Sequence, residues 1–244
     1  MTSSPEPPTW SKSVSWKSAD VLKPSTYSSF LTGADAVVHS MGILIEADYK
    51  GVLQGKEPVW AGLKRAFSPT KAGTQNPLAR KDGEDLAPQE HDGQLTYEVM
   101  NRDTAIVLAA EAAKAKAKEF VYISAAAGAP VLPKRYITTK REAEETIASQ
   151  FPQMRSVFIR PGMLYDSSRT ITMGLAGVTA MGHMANSITG GRLTPLMGAG
   201  GSKPLKADVV GEAVVEAIDG DTSGVVEVAD IERLANTAWR KGML

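Results

Sequence analysis

Tyr136 and Lys140 lie four residues apart in the segment RYITTKREAEE, a spacing that places both side chains on one face of a helix. A tyrosine is a good proton donor at neutral pH only if its pKa, near 10 in free tyrosine, is lowered. A neighbouring ammonium group favours the phenolate and has this effect. The spacing therefore predicts acid–base chemistry on a carbonyl group or, if it is a coincidence, two residues of a solvated helix.

The segments around this pair predict the elements that would hold it. FVYIS, from Phe120 to Ser124, is a short apolar run typical of a buried strand. Ser124 closes that strand, and its hydroxyl would either orient a carbonyl group or only end the strand. After the helix comes a second predicted strand, RSVFIR, which ends at Arg160. The helix that carries the pair thus lies between two strands.

The same alternation extends along the chain. ADAVVHSMG, from Ala34 to Gly42, has the pattern of a buried parallel strand ended by glycine. A long segment with apolar residues near helical period begins at Leu95 and contains Asn101. Nearer the carboxyl terminus, the sequence predicts an amphipathic helix, a short strand and a final helix, in ADVVGEAVVEAIDG, VVEVAD and IERLANTAWRK. This order predicts an α/β fold with a mostly parallel sheet, in a single domain over residues 1–244.

Three stretches are less regular. The amino-terminal part contains a possible short strand, SVSW, and a brief helix in KPSTYSSFLTG. Residues 46–94 are polar and rich in Gly, Pro and Asp, which predicts a lid over a site or a disordered insertion. Residues 170–206 include a Gly/Ala/Met-rich helix and are expected to form a small segment near a substrate or a membrane. Close packing through small residues is the alternative for that helix.

The composition argues against several function classes. Lys plus Arg and Asp plus Glu are both 27, so no net charge attracts nucleic acid. The chain has no cysteine, and its three histidines show no ligand spacing, so no metal site is predicted. No apolar run is long enough to span a membrane, although peripheral membrane association is compatible with the sequence. No targeting segment is recognisable at the amino terminus.

Five features occur in the order found in short-chain dehydrogenases/reductases of the extended or atypical type, and between about residues 16 and 220 the sequence resembles that family. They are the strand pattern Asp35-x-Val37-x-His39 with small residues after it, Asn101 in the next helix, the FVYIS strand, the Tyr136-x-x-x-Lys140 pair, and Arg160-Pro161-Gly162. The resemblance implies a Rossmann-like, doubly wound parallel sheet. It also implies NADP or NAD as the cofactor and a small-molecule or quinone-like substrate.

The resemblance assigns roles to individual residues. Tyr136, Lys140 and Ser124 would be catalytic, with Lys140 also holding the ribose hydroxyls. In extended members the catalytic serine usually lies two residues after the strand-end serine, where this chain has Ala126. The remaining residues predicted to bind the cofactor are Asp20, Val21, His39, Ser40, Met41, Gly42, Arg160, Pro161, Gly162 and Met163. For His39, burial with a satisfied hydrogen bond is the alternative role.

One branch of the family is similar over longer segments. VVHSMGILIEADYK, KREAEETI, FIRPGMLYD and PLKADVVGEAVVEAI look like fungal mitochondrial members that take part in ubiquinone biosynthesis and are related to the dehydrogenase-like accessory subunit of respiratory complex I. The resemblance implies a mitochondrial location, a role near quinone synthesis and a mitochondrial protein complex as partner. It leaves two alternatives: an NAD(P)-dependent oxidoreductase, or a non-catalytic accessory protein of a quinone-biosynthesis or respiratory assembly.

The family's first β-α-β unit, with its glycine-rich phosphate loop, has no counterpart in the sequence. The glycines of residues 174–182 and 198–201 do not follow a strand and open a helix at the required spacing. We therefore expect an incomplete Rossmann domain in which nucleotide binding is weakened or lost. In the family's sheet, the strands of this missing unit lie between the third strand, which would be SVSW here, and the fourth, which would be ADAVVHSMG. Without them, the fourth strand would have an open apolar edge.

Overall fold

The computed structural model describes residues 9–44, 96–128, 132–165, 170–190, 192 and 198–243. In these residues the strands are β1 (Ala36–His39), β2 (Glu119–Ile123), β3 (Arg155–Ile159), β4 (Leu164–Tyr165), β5 (Leu205–Lys206) and β6 (Gly224–Val226). The α-helices are α1 (Thr104–Lys114), α2 (Arg135–Gln150), α3 (Thr170–Ile188), α4 (Ala207–Asp219) and α5 (Val228–Lys241). A π-helical turn, Glu98–Asp103, runs directly into α1.

The principal sheet of the described residues is parallel, with the strand order β1-β2-β3-β6. Val38, Val121 and Val157 lie side by side across its first three strands. Strands β4 and β5 form a separate parallel pair. Each long crossover passes through a helix, as parallel pairing requires. The expected α/β class with a parallel sheet is confirmed.

Helices cover both faces of the sheet because the strand side chains alternate between two apolar clusters. Phe120, Tyr122 and Phe158 point toward α1 and α2, where they pack with Ala109 and Ile147. Val121, Val157 and Ile159 point the other way, toward α4 and α5, and pack in a second cluster whose helical members include Val210 and Ile231. A parallel sheet buried on both faces in this way is doubly wound.

The prediction of a strand in SVSW is wrong. Residues Thr9–Ser13 form a 3-10 turn, and residues 14–20 have no regular secondary structure. The indole Nε1 of Trp16 donates to the backbone oxygen of Ser11 at 3.0 Å, so this segment bonds to itself. Four alternating residues cannot form a strand without a neighbour to pair with. The brief helix predicted after it is two 3-10 turns, Pro24–Thr26 and Ser28–Leu31.

The other regional predictions have different outcomes. The 46–94 insertion lies outside the described residues, and the single-domain boundary stays a prediction. The Gly/Ala/Met-rich helix is present as α3, with Met181, Met184 and Ile188 exposed. Of the helices that the structure describes, none combines the length and apolar character needed to cross a bilayer. A substrate-side or membrane-facing role for residues 170–206 stays a prediction.

Candidate functional site

The site predicted from the sequence is centred where the chain leaves β1. Gly42 lies so close to two predicted functional residues that an added Cβ would be 2.9 Å from Oδ1 of Asn101 and 3.5 Å from Nζ of Lys140. The first distance is shorter than a carbon–oxygen contact allows, so a residue with a Cβ would displace Asn101. The absence of a side chain at Gly42 is therefore required for this approach. Three residues far apart in sequence meet at this point.

Asn101 holds the segment after β1 in place. Its Oδ1 accepts a hydrogen bond from the backbone N–H of Ile43 at 2.8 Å, and its Nδ2 donates to the backbone oxygen of Ile43 at 3.3 Å. The Asn101 side chain is fully buried. The hydroxyl of Tyr122 donates to the backbone oxygen of Asn101 and so joins β2 to the π-helical turn. Isolated π-helical turns are frequent at functional sites.

Lys140 projects from α2 to the end of β2. Its Nζ donates to the backbone oxygen of Ile123 at 3.2 Å and lies 5.2 Å from the ring centroid of Tyr122. Burial lowers the pKa of Lys140 to about 8, while the carboxylate of Glu144 acts in the opposite direction. One of the three ammonium hydrogens is used by Ile123, so the group retains donors for a ligand.

Tyr136 has surroundings that differ from the expected proton donor. Burial raises the pKa of its phenol, and the nearby Arg141 only partly offsets this effect. Its ring packs edge-on against Tyr97, with centroids 5.9 Å apart. The ammonium of Lys140 contacts Ile123 and Tyr122, so the expected lowering of the Tyr136 pKa by Lys140 is absent from the described interactions. The two residues lie on one helix, but the pKa of the phenol moves away from neutrality.

Tyr97 is a site residue that the sequence patterns did not identify. It is fully buried, its ring contacts Tyr136, and its hydroxyl donates to the backbone oxygen of Leu44 at 2.9 Å. The guanidinium of Arg135 lies 5.8 Å from its ring centroid and also binds Glu98. Tyr97 lies one helical turn before Asn101, so both side chains form hydrogen bonds with the backbone of residues 43–44. The four-residue spacing was the signal that could have found it.

Ser124 is buried, and its hydroxyl faces a cation. The Oγ atom accepts a hydrogen bond from Nη1 of Arg141 at 3.2 Å, and Nη2 of the same guanidinium donates to the backbone oxygens of Ala125 and Ala126 at 2.8 and 2.9 Å. Arg141 thereby ties the turn after β2 to α2. A catalytic role for Ser124 stays a prediction, but its hydroxyl already has a structural partner.

Arg160 belongs to the same ionic network. Its Nε lies 3.1 Å from both carboxylate oxygens of Glu144, and its Nη1 donates to Glu227 at 2.9 Å. Arg141 donates to Glu144 as well, at 2.7 Å. The Arg160 pKa is raised mainly by its hydrogen bond to Glu144. These contacts use the guanidinium to join α2 to the start of α5, so cofactor binding by this side chain is only a prediction.

The backbone after Arg160 is fixed from two sides. The oxygen of Pro161 accepts from the N–H of Ala126 at 2.8 Å, and the oxygen of Met163 accepts from the N–H of Leu205 at 2.9 Å. A Cβ on Gly162 would lie 3.1 Å from the backbone oxygen of Lys203. This turn therefore lies beside the end of β2, and cofactor binding by Pro161, Gly162 and Met163 stays a prediction.

His39, Ser40 and Met41 lie just before Gly42. The Nε2 of His39 is 3.0 Å from Oγ1 of Thr104, and its Nδ1 is buried with no hydrogen-bond partner among the described residues. Burial, reinforced by the charge of Lys140, lowers the pKa of His39 to about 4, so the ring is neutral at pH 7. Ser40 and Met41 are exposed. The alternative of a buried, hydrogen-bonded histidine describes His39 well.

Asp20 and Val21 form part of a local turn. Oδ1 of Asp20 accepts from the N–H of Leu22 at 3.0 Å, and the oxygen of Val21 accepts from the hydroxyl of Tyr27 at 3.0 Å. The expected strand before Asp20 is absent, which removes the structural reason for a cofactor contact there. That role remains a prediction without a supporting contact.

The described residues fit one part of a nicotinamide dinucleotide better than the rest. The backbone at Gly42 lies close to Asn101 and Lys140, and the ammonium group of Lys140 retains free hydrogens. This arrangement suits hydrogen bonds to the ribose hydroxyls at the carboxyl ends of β1 and β2. The guanidinium of Arg160 and the hydroxyl of Ser124 are engaged within the protein. No group of three or more metal-binding side chains occurs in the part of the chain that the structure describes.

One curated protein similar to the chain is "MIOREX complex component 2" of Saccharomyces cerevisiae. It is 36% identical over 173 residues, which are 66% of this chain and 58% of that protein. The chain thus spans less than two thirds of this relative. No protein-family profile matches the chain.

Several solved structures resemble the chain in fold at low sequence identity. RMD from Pseudomonas aeruginosa complexed with NADPH is 14% identical, with a TM-score of 0.43 over 90% of this chain and 72% of that one. UDP-glucuronic acid 4-epimerase from Bacillus cereus in complex with NAD is 14% identical, with a TM-score of 0.45 over 86% and 58%. The predicted fungal relative is confirmed, since the similar curated protein comes from Saccharomyces cerevisiae.

Proposed function

We propose that the protein binds a nicotinamide nucleotide, NADP or NAD, at the carboxyl ends of β1 and β2. The observation that carries this proposal is that the backbone at Gly42 lies too close to Asn101 for a Cβ to fit and also lies beside Nζ of Lys140. A residue with a Cβ at position 42 would displace Asn101, so only glycine lets the backbone approach both side chains. The buried ammonium of Lys140 supplies hydrogen-bond donors to the ribose hydroxyls.

The surrounding residues would hold the ligand rather than react with it. Asn101 and Tyr97 fix residues 43–44 through three hydrogen bonds, which keeps the wall of the site rigid. The ring of Tyr136 borders the same wall through Tyr97. A bound nicotinamide nucleotide supplies hydride chemistry. The protein supplies orientation and exclusion of water, and any proton would move at the Tyr136 hydroxyl.

Two contacts favour a non-catalytic accessory role over a fast reductase. The hydroxyl of Ser124 and the guanidinium of Arg160 are both held by the Arg141–Glu144 network, so neither is free to orient a carbonyl group. The pKa of Tyr136 is raised by burial, which disfavours the phenolate. Both conditions weaken acid–base catalysis at neutral pH. The oxidoreductase alternative needs Tyr136 to recover a lower pKa when substrate and nucleotide bind.

We also propose a mitochondrial location and membership of a protein complex. The support is the similarity to the yeast protein named as a MIOREX complex component. Participation in ubiquinone biosynthesis, with a quinone-like substrate or ligand, is the finer proposal and rests on the sequence segments that resemble that branch. Measuring the quinone content of cells that lack the gene tests it. An unchanged content would contradict the quinone proposal and leave nucleotide binding standing.

Fluorescence titration with NADH and NADPH tests the central proposal. We expect Lys140→Met to weaken binding about tenfold or more, since a hydrogen bond to a charged group contributes about 1.5–3 kcal/mol. Gly42→Ala should weaken binding about as much, because its Cβ would displace Asn101. Glu145→Gln is the matched control because Glu145 is exposed on the same helix as Lys140. Absence of binding to the unmodified protein, or equal binding by all variants, would refute the proposal.

Single-turnover measurements with NADPH and a short-chain quinone separate the two roles. The accessory role predicts no turnover above the uncatalysed reaction and no effect of Tyr136→Phe. Turnover that is lost in Tyr136→Phe while NADPH binding is retained would establish the oxidoreductase alternative.

A further inference from the structure

The helices α4 and α5 form an open groove on the side of the sheet opposite to the candidate nucleotide site. It has a volume of about 380 Å³ and is lined by Val209, Glu212, Glu232, Ala235, Asn236 and Trp239. The lining residues repeat at three- and four-residue spacing along both helices, so they form two facing stripes. The buried Ala235 forms the floor, and the small side chain keeps the groove open.

The walls of this groove combine an exposed indole with a carboxylate. Trp239 leaves 59% of its surface accessible, although a large aromatic side chain is normally covered. Val209 gives the opposite wall an apolar surface. Glu232 is paired with Lys203, whereas the exposed Glu212 has no hydrogen bond or ion pair to any described residue. An indole face beside a free carboxylate is a receptor for a cation with an apolar stem.

The charge of the region agrees with this chemistry. The whole chain is neutral, but residues 207–241 contain eight acidic and three basic residues, which leaves a net charge of −5. The groove therefore lies in the acidic part of a neutral protein. An acidic field attracts a positively charged partner and repels nucleic acid.

We propose that the α4–α5 groove binds an arginine-containing helical segment of another protein. The guanidinium would stack on Trp239 and form a bidentate bond with Glu212, because arginine is planar, always charged and only weakly hydrated. An apolar residue one turn away on the partner would lie over Val209 and Ala235. Recognition of an amphipathic helix in a groove uses anchors at this spacing.

Binding of an acetylated, amidated 14-residue alanine-based helical peptide, with Arg at two positions four apart and Leu between them, tests the proposal. We expect saturable binding that weakens with salt, and at least tenfold weaker binding when both arginines are replaced by glutamate. A tenfold loss is also expected for the protein variant Glu212→Lys. Asp221→Lys is the matched control because it reverses one charge in the same acidic segment outside the groove.

Three results would overturn the proposal. Equal weakening by Glu212→Lys and Asp221→Lys would show a diffuse acidic field instead of a site. Equal binding of the arginine and glutamate peptides, or no binding of either, would exclude arginine recognition. A dimer of the free protein that Glu212→Lys dissociates, measured by light scattering, would show that a second copy occupies the groove. Circular dichroism of each variant checks that this exposed helix position leaves the fold intact.

Discussion

The two helical layers of the sheet bury different kinds of side chain. The layer of the π-helical turn, α1 and α2 buries ionised or polar groups at almost every turn, among them Glu98, Asn101, Arg102, Asp103, Lys140 and Glu144. In the layer of α4 and α5, the buried polar residue is Glu216, and the cluster otherwise consists of aliphatic side chains. Aliphatic packing is sufficient to hold a helix on a sheet.

The difference indicates that the layer of the π-helical turn, α1 and α2 is less stable than an aliphatic layer would be and is retained for function. Buried charges are stable only when they are paired and hydrogen-bonded, and replacing them by apolar residues is often neutral or stabilising. Two of the groups in the first layer, Asn101 and Lys140, lie beside Gly42 at the end of β1. We interpret this layer as the functional one and the other as the structural one. Each of the following variants tests that division.

The largest expected effect comes from breaking the ionic network at Glu144. Glu144→Gln leaves Arg141 and Arg160 without a carboxylate between them and should lower the free energy of unfolding by about 3–5 kcal/mol. Urea denaturation measures the change. Glu145→Gln, on the exposed side of the same helix, should change stability by less than about 0.5 kcal/mol. Similar losses in both variants would mean that the ionic network does not contribute more to the free energy of unfolding than an exposed side chain does.

The next effect is a pH dependence caused by His39. Its folded-state pKa of about 4 lies below the ordinary value of 6.5, so the unfolded chain binds more protons between these values. Stability should therefore fall as pH decreases from 6.5 to 4, by on the order of 3 kcal/mol from this residue. Comparison with His39→Gln, by urea denaturation at pH 7 and pH 4, isolates the contribution. Equal pH dependence in the two proteins would contradict the buried neutral imidazole.

The next effect, in which stability again rises with pH, is expected at Lys140. Its pKa of about 8 is below the ordinary value of 10.5, so stability should rise between pH 8 and 10.5 as the folded form is already neutral. Lys140→Met removes the buried charge and should raise the free energy of unfolding at pH 7 by about 1–3 kcal/mol. Nucleotide affinity should fall at the same time. A variant that is both less stable and unchanged in affinity would assign Lys140 to the structural group.

The smallest effect is expected in the aliphatic layer. Ile231→Val removes one methylene group from a fully buried side chain and should lower stability by about 0.5–1.5 kcal/mol. Nucleotide binding should not change, because α5 lies on the opposite face of the sheet. A change in nucleotide affinity comparable to that of Lys140→Met would end the division into functional and structural layers.

The sequence predicted the parts of this molecule that local patterns encode. Apolar runs located β1, β2 and β3, and spacing located the helix with Tyr136 and Lys140. The prediction of a strand in SVSW was wrong because strand formation requires a neighbouring strand, which the local pattern does not specify. The engagement of Ser124 and Arg160 by the Arg141–Glu144 network was not predictable, since it joins side chains from separate elements. Tyr97 was missed because its four-residue spacing from Asn101 indicates a shared role only once residues 43–44 are known to pack against that helix.

The separation of the strands in sequence has a consequence for the order of folding. Glu119 pairs with Arg155, only 36 residues away, whereas the salt bridge between Asp35 and Lys118, beside the β1–β2 pairing, spans 83 residues. Closing the longer loop costs roughly 0.7 kcal/mol more in chain entropy. We expect β2 and β3 to associate before β1 docks. Gly42 would then reach Asn101 and Lys140 only after this docking, so the candidate site would be absent from a partly folded form in which only β2 and β3 are paired.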